Sequence, residues 1–301
     1  MKKYPEHDQK YFYKFSSMDT AHLILENGKF RYSSPAPAIF NDPFDIQTEL
    51  YLNFDIADLP CLVIDEIDAL VCGRRFASLD DTYGLCRAIA TLQEQHQKGN
   101  YKREHIDDLV KSIMPDLSNA IEDTRKKYNE HWRGLLKTIR VFCVSDHNQS
   151  ILMWSHYANK HTGVCFKLKV MPEKDNLLCV AKKVDYLPDP PSFFNVEQWI
   201  DSIILNNDMA FDDFYHRYPL VKSDIWRYER EWRIWAPFED DGNSYLDIPI
   251  VEGEIDSIYF GVNADLKLVK DLIAIARARG IECFYRSDKK IKQYGLIYTE
   301  I

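Results

Sequence analysis

The stretch that most constrains this chain is Lys222 to Pro237, KSDIWRYEREWRIWAP, where glutamates, arginines and tryptophans alternate without a glycine. In a strand, successive side chains point to opposite faces. Glu229, Glu231, Arg233 and Trp235 would then share one face, and Tyr228, Arg230, Trp232 and Ile234 the other. Two neighbouring carboxylates resist double ionisation unless a cation sits beside them, and Arg233 is placed to be that cation. Ile225, Tyr228, Trp232 and Trp235 also recur at helical spacing. The aromatic content and the stop at Pro237 favour a strand. The alternative is an edge element with solvated charges, and Trp226 and Trp232 are expected to be buried in either case.

The segments around this stretch read as an α+β chain. Tyr11 to Phe15 forms an aromatic strand. A helix capped by Asp19 ends at Asn27-Gly28, and Lys29 to Ser33 returns as a strand. Pro35, Pro37 and Pro43 then fix an irregular loop. In it, Asn41-Asp42-Pro43 reads either as a side-chain-bonded turn or as a ligand-lining loop, with Asn41, Asp42 and Asp45 beside Phe40 and Phe44. From about Asp55 to Lys137 the pattern is amphipathic and helical, an insertion or subdomain within one elaborated domain spanning 1–301, with Glu122 and Lys126 as an i,i+4 pair.

Strand Arg140 to Ser145 follows, then a helical turn from Met153 to Ala158 and strand Gly163 to Leu168. His156 and His161 are five positions apart, which does not put them on one helix face as metal-binding pairs require. Ser155, His156 and Tyr157 nevertheless set a hydroxyl, an imidazole and a phenol side by side. Strand Leu177 to Leu187, a helix from Val196 to about Tyr215, strands Tyr245 to Ile250 and Ile255 to Phe260, a helix from Ala264 to Arg279, and strands Ile281 to Arg286 and Gly295 to Tyr298 complete the expected order.

Composition removes several function classes. A net charge of −9 gives no global basic field for DNA or an anionic membrane. The seven cysteines, 61, 72, 86, 143, 165, 179 and 283, are scattered without a CxxC pair, so neither a disulfide framework nor a structural zinc site is expected, and buried thiols in a reducing compartment are. No secretory leader or membrane span is read, so the expected location is cytoplasmic.

FNDPFD at 40–45, MWSHYANKHTGVCFKL at 153–168, YEREWRIW at 228–235 and the IDSIYFG-plus-helix ending at 255–279 together resemble a widespread bacterial family, domain of unknown function 2971. More distantly, YFYKFSSMDTAHLILENGKFRYSS and YEREWRIW resemble the ADP-ribosyltransferase fold, which implies a split mixed or antiparallel sheet core with a helical insertion. That resemblance implies NAD as co-substrate, Glu231 as the catalytic glutamate with Glu229 on the same face, and a middle motif at Ser155, His156 or Tyr157. In the first strand it meets Tyr13 and Lys14, where the best-known versions carry Arg or His. Trp154 or Tyr157 would hold the nicotinamide ring, Asn41, Ser33 or Lys14 the ribose or phosphates, with Asp42 nearby, and Arg233 would orient Glu231. The implied activity is that of a toxin or anti-phage effector modifying a protein or nucleic acid, with an oligomer left open. Two other functions stay open: a hydrolase of nucleic acid or nucleotide using His156 with Glu229 or Glu231 and a divalent metal, and a non-catalytic sensor or interaction module.

Overall fold

The structure is a computed structural model and describes residues 4–35, 41–46, 49, 52, 54–76, 84–192, 195, 198–199, 202, 216–237 and 242–301. The chain divides into two compact units, one of residues 1–48, 135–190 and 218–301, the other of 49–134 and 191–217.

The first unit is a mixed α+β sheet structure. Its strands are β1 (Tyr11–Ser16), β2 (Lys29–Ser33), β3 (Ile139–Ser145), β4 (Val164–Lys169), β5 (Lys182–Lys183), β8 (Glu231–Pro237), β9 (Tyr245–Pro249), β10 (Ile255–Phe260), β11 (Cys283–Lys289) and β12 (Leu296–Glu300). They pair in the order β12-β11-β10-β4-β1-β3-β2-β9, with β8 on β3 and β5 on β8. β10 and β11 run parallel, and the other pairs in this sheet are antiparallel. A short parallel pair, β6 (Asp185–Leu187) and β7 (Val221–Ser223), lies apart from it. The β1–β3 junction is held by the single register pair Tyr13↔Ser145, whereas β3 and β8 pair over seven residues from Ile139↔Pro237 to Ser145↔Glu231.

Alternation gives the sheet two different faces. One face, with Phe12, Phe30, Phe142, Phe166, Trp232, Ile258 and Phe260, buries α1 (Met18–Asn27) and a second helix whose Val269, Leu272 and Ala276 enter the same core. The other face carries Phe15 and Cys165 under α5 (Ile151–Tyr157), whose Met153 and Trp154 are buried against them. Helix α1 starts two residues earlier than expected. Ser17, not Asp19, is the N-cap, accepting from the Thr20 N–H, and Gly28 closes the helix in the left-handed region at φ 64°.

Two strand expectations are corrected. Leu177 to Leu187 is not one strand: Leu177–Val180 is a 3-10 turn that sends Leu178 and Cys179 inward, and only Lys182–Lys183 and Asp185–Leu187 are extended. The Asn176 amide bends the chain there by donating to the Lys169 carbonyl while its oxygen accepts from the Met171 N–H. In Lys222 to Pro237, Asp224–Glu229 is a 3-10 helix, Arg230 is left-handed at φ 46°, and the strand begins at Glu231. Glu229 therefore does not lie on the strand with Glu231. Trp232 is buried as expected, but Trp226 is only half-buried.

The second unit is helical over its described residues: a 3-10 turn at Ile56–Asp58, then α2 (Leu59–Val71), α3 (Gly84–Gln97) and α4 (Glu104–Thr138), the last running on into β3. Leu59, Val63, Ile67, Ile89, Ile106 and Trp132 are buried within it. Asp68, mostly buried, accepts from Tyr101 and Arg74. Glu122 pairs with Arg125 rather than Lys126, because the guanidinium one turn away reaches it with two N–H groups. Most of the helix expected over Val196 to Tyr215 lies outside the described residues. The last helix, α6 (Leu266–Arg277), belongs to the first unit and is capped by Asp265, which accepts from Lys267 and Leu268.

All seven cysteines are free thiols, but only Cys86, Cys165 and Cys179 are buried. Among the described residues, no helix is long and apolar enough to cross a membrane.

Candidate functional site

Register sets the site. The pairings Tyr13↔Ser145 and Ser145↔Glu231 align β1, β3 and β8 at one level, at the point where the chain leaves the 3-10 helix for β8. The left-handed Arg230 makes this corner, and its guanidinium pairs with Asp146 at 2.6 Å on the solvent side. Ser145 Oγ donates to the Glu229 carbonyl at 2.6 Å, and the Glu231 N–H donates to the Tyr186 hydroxyl at 2.7 Å. These bonds turn both glutamate side chains inward from different elements, which simple strand alternation does not do.

They meet a buried charge cluster. Arg233, fully buried, donates from Nε to Glu231 Oε1 at 2.7 Å and from Nη2 to Glu231 Oε2 at 3.0 Å and Asp45 Oδ2 at 2.6 Å, while Nη1 donates to the Pro219 carbonyl at 2.7 Å. Lys222 Nζ lies 2.5 Å from Glu229 Oε2, 3.1 Å from Glu231 Oε2 and 3.5 Å from Asp45 Oδ2. Tyr157 donates its hydroxyl to Glu229 Oε1 at 2.5 Å, and the exposed Asn41 lies near the same phenol. Three carboxylates and two cations are thus held together. Isolated charges could not stay buried in this way, and mutual pairing is what permits it.

The carboxylates separate in acidity. For Glu231, burial opposes ionisation, but Arg233 and Lys222 overcome it and hold the carboxyl below the usual range. Burial raises Glu229, with Lys222 opposing and the Glu231 charge adding. Burial likewise raises Asp45, against Arg233 and Lys222. Burial pulls Lys222 down, yet the three carboxylates push it well above an ordinary lysine. The cluster therefore sets one carboxylate held firmly as an anion beside two whose acidity burial weakens.

Half-buried aromatics edge it. Lys222 Nζ sits 5.0 Å from the Trp226 ring centroid, Trp226 and Tyr228 have centroids 6.0 Å apart, and His156 Nδ1 lies 3.0 Å from the Tyr228 hydroxyl. Burial raises the Tyr228 phenol to about 12.

The candidates from the sequence fall into separate places. Glu231, Glu229, Arg233, Tyr157 and Asn41 come together. His156 is exposed and turned to Tyr228, and no hydrogen bond joins it to either glutamate among the described residues. Trp154 is fully buried, edge-on to Phe15, with its indole N–H on the Asn148 carbonyl. Ser155 lies 3.1 Å from His161 Nε2. Tyr13 packs edge-on to Tyr259, and Lys14 Nζ donates to the Cys143 carbonyl at 2.8 Å over the Phe142 ring. Ser33 pairs at the end of β2 with Val141 and Tyr245. Asp42 caps its own turn by accepting from the Phe44 N–H, the turn alternative for that loop.

Lys222, Tyr186 and Trp226 were not among the sequence candidates, and Asp45 was one only in the ligand-lining alternative for its loop. Lys222 opens the charged, aromatic stretch that runs to Pro237, but nothing local distinguishes a buried lysine from a solvated one. Among the described residues, no group of three or more His, Cys, Asp or Glu is arranged to hold a metal ion.

No curated protein and no solved structure matches the chain. Residues 153–234, which run from α5 into β8 and hold Tyr157, Lys222, Glu229, Glu231 and Arg233, match the family described as Protein of unknown function (DUF2971).

Proposed function

We propose that the protein is an NAD-dependent ADP-ribosyltransferase of bacterial toxin or anti-phage type, built on a core of that fold, with Glu231 as its catalytic carboxylate. The observation that carries this reading is the Glu231–Arg233–Lys222 arrangement. Cleavage of the nicotinamide–ribose bond develops positive charge on the sugar, and a permanently ionised, oriented carboxylate stabilises it. Arg233 grips both Glu231 oxygens and Lys222 one, so the carboxylate stays charged and cannot rotate. Asn41 is a donor for the ribose, and the half-buried Tyr157 and Trp226 offer ring surface for the base. The acceptor, protein or nucleic acid, approaches past Glu229.

The hydrolase reading asks His156 to act with the glutamates. His156 instead bonds Tyr228, and among the described residues no hydrogen bond joins it to either glutamate. The observations therefore support the transferase reading over it.

The test is nicotinamide release from NAD, measured by mass analysis with cell lysate, for wild type and Glu231→Gln. The amide keeps the shape and leaves two carboxylates against two cations, so the variant should fold. Loss of release in a folded Glu231→Gln protein is the expected result. Full release from the variant, or none from the wild type, overturns the assignment.

A further inference from the structure

The main sheet ends differently at its two outer strands, β9 and β12. Beside β9, the Ser34 N–H donates to the Ser244 carbonyl and the Ile250 N–H to the Gly28 carbonyl, so alternation turns the backbone groups of Tyr245, Asp247 and Pro249 outward. Pro249 has no N–H to offer there, and Asp247 carries a charge. Both discourage the addition of another strand.

β12 has no such guard. The Lys290 N–H donates to the Gly295 carbonyl and the Ile301 N–H to the Phe284 carbonyl, so Leu296, Tyr298 and Glu300 are the residues whose N–H and C=O point away from β11. Among the described residues β12 pairs with β11 alone, and neither proline nor lysine interrupts its sequence, LIYTE. Ile297 on the strand and Ile291 and Tyr294 in the turn before it are exposed. An open apolar edge of this kind is a template for strand pairing.

Charge selects the occupant. Lys289, Lys290 and Lys292 crowd the beginning of β12, whereas Glu300 stands at its other end, where Glu282 precedes β11; all five are exposed. Such a strand complements itself when laid antiparallel, because unlike ends meet, while a parallel arrangement joins like to like. The register places Lys289, Leu296, Tyr298 and Glu300 on one sheet face, with Arg286 and Asp288 on the opposite one. A two-fold axis at Tyr298 sets the outward groups of Tyr298 against those of its twin, and Leu296 against Glu300 of the second copy. Every outward N–H and C=O of the strand then has a partner, and each Glu300 comes to the Lys289 end of the other copy.

We infer that the chain forms a two-fold homodimer by antiparallel pairing of β12 with β12 of a second copy, one sheet continuing through both. A closed symmetric pair leaves neither β12 edge open to further addition. The inference is independent of the transferase reading.

The experiment is sedimentation velocity of the full chain at rising concentration, where a reversible monomer–dimer equilibrium is expected. Glu300→Lys and Lys289→Glu should each weaken the dimer about tenfold, because an attractive pair becomes a repulsive one at two symmetric places. Mixed in equal amounts, the two variants should associate as the wild type does, since both contacts of the mixed dimer again join lysine to glutamate. Glu300→Pro withdraws an outward N–H and should weaken the dimer as well. Circular dichroism checks each fold, and should the proline variant not fold, the charge-reversal mixture decides. A monomer at every concentration, a dimer indifferent to the charge reversals or to a folded Glu300→Pro, or a mixture that associates no better than its components overturns the inference.

Discussion

The hydroxyl of Tyr157 donates to Oε1 of Glu229 at 2.5 Å, joining the end of α5 to the 3-10 helix that precedes β8. It is the bond through which the buried acids meet the half-buried rim. Tyr157→Phe removes the donor but keeps the ring, leaving a buried carboxylate oxygen with less support. The expected cost is about 1–3 kcal/mol. Urea unfolding with an unchanged m-value checks it; an unaltered midpoint would show that the oxygen finds water instead.

The pH dependence of stability follows from the split acidities. Burial raises Glu229 and Asp45 on folding, so the folded chain holds their protons more tightly. Their contribution is present at acid pH and is lost as the pH rises through the raised values. Glu231 has the opposite sign: its contribution is present above the unfolded value and disappears as the pH falls toward the depressed folded one. As the pH falls, the melting temperature should first rise through the raised Glu229 and Asp45 values and then fall below about 4, where an unfolded glutamate gains its proton. Glu229→Gln should flatten the rise and leave the fall.

Breaking the central pair should be costly, and removing it whole should be less so. Arg233→Met strands Glu231 and Asp45 without their shared guanidinium, an expected loss of about 3–5 kcal/mol. Arg233→Met with Glu231→Leu should recover part of that loss. Arg233→Lys should not rescue, because one ammonium cannot reach Glu231, Asp45 and the Pro219 carbonyl together. Equilibrium unfolding of the three variants provides the comparison.

Gly163 is required by space, not by φ. A Cβ there would lie 2.2 Å from the Ser16 carbonyl oxygen, on backbone that cannot step aside. Gly163→Ala should cost about 3 kcal/mol or prevent folding, as thermal unfolding would show. An unchanged melting temperature would mean that β1 and β4 can separate at that end.

The sequence displayed the strand–helix–strand opening clearly, because Gly28 and the spacing of Ala21, Ile24 and Leu25 are local signals that the core confirms. It displayed Glu231 and Arg233 as partners for the same reason, since two positions on one strand share a face. It misplaced Glu229, because the left-handed Arg230 resets the phase between the two glutamates. Asp45 was legible only as one acid of a ligand-lining loop, and not as a partner of Arg233, because that bond spans 188 positions. Trp154 and Trp226 look alike in sequence, yet one is sealed under the sheet and the other lines the rim.

Between α5 and β4, Asn159, Lys160 and His161 are three consecutive non-glycine residues at φ 46°, 56° and 66°. Such residues persist only when surrounding bonds over-determine them. Here Lys160 N–H donates to Ser155, His161 N–H to Trp154, Gly163 N–H to Ala158, and Asn263 N–H to His161. The segment is a riveted bracket rather than a hinge. Tyr157, mounted two residues before it, therefore leaves its helix from a backbone pinned on both sides, and its bond to Glu229 inherits that fixed starting point.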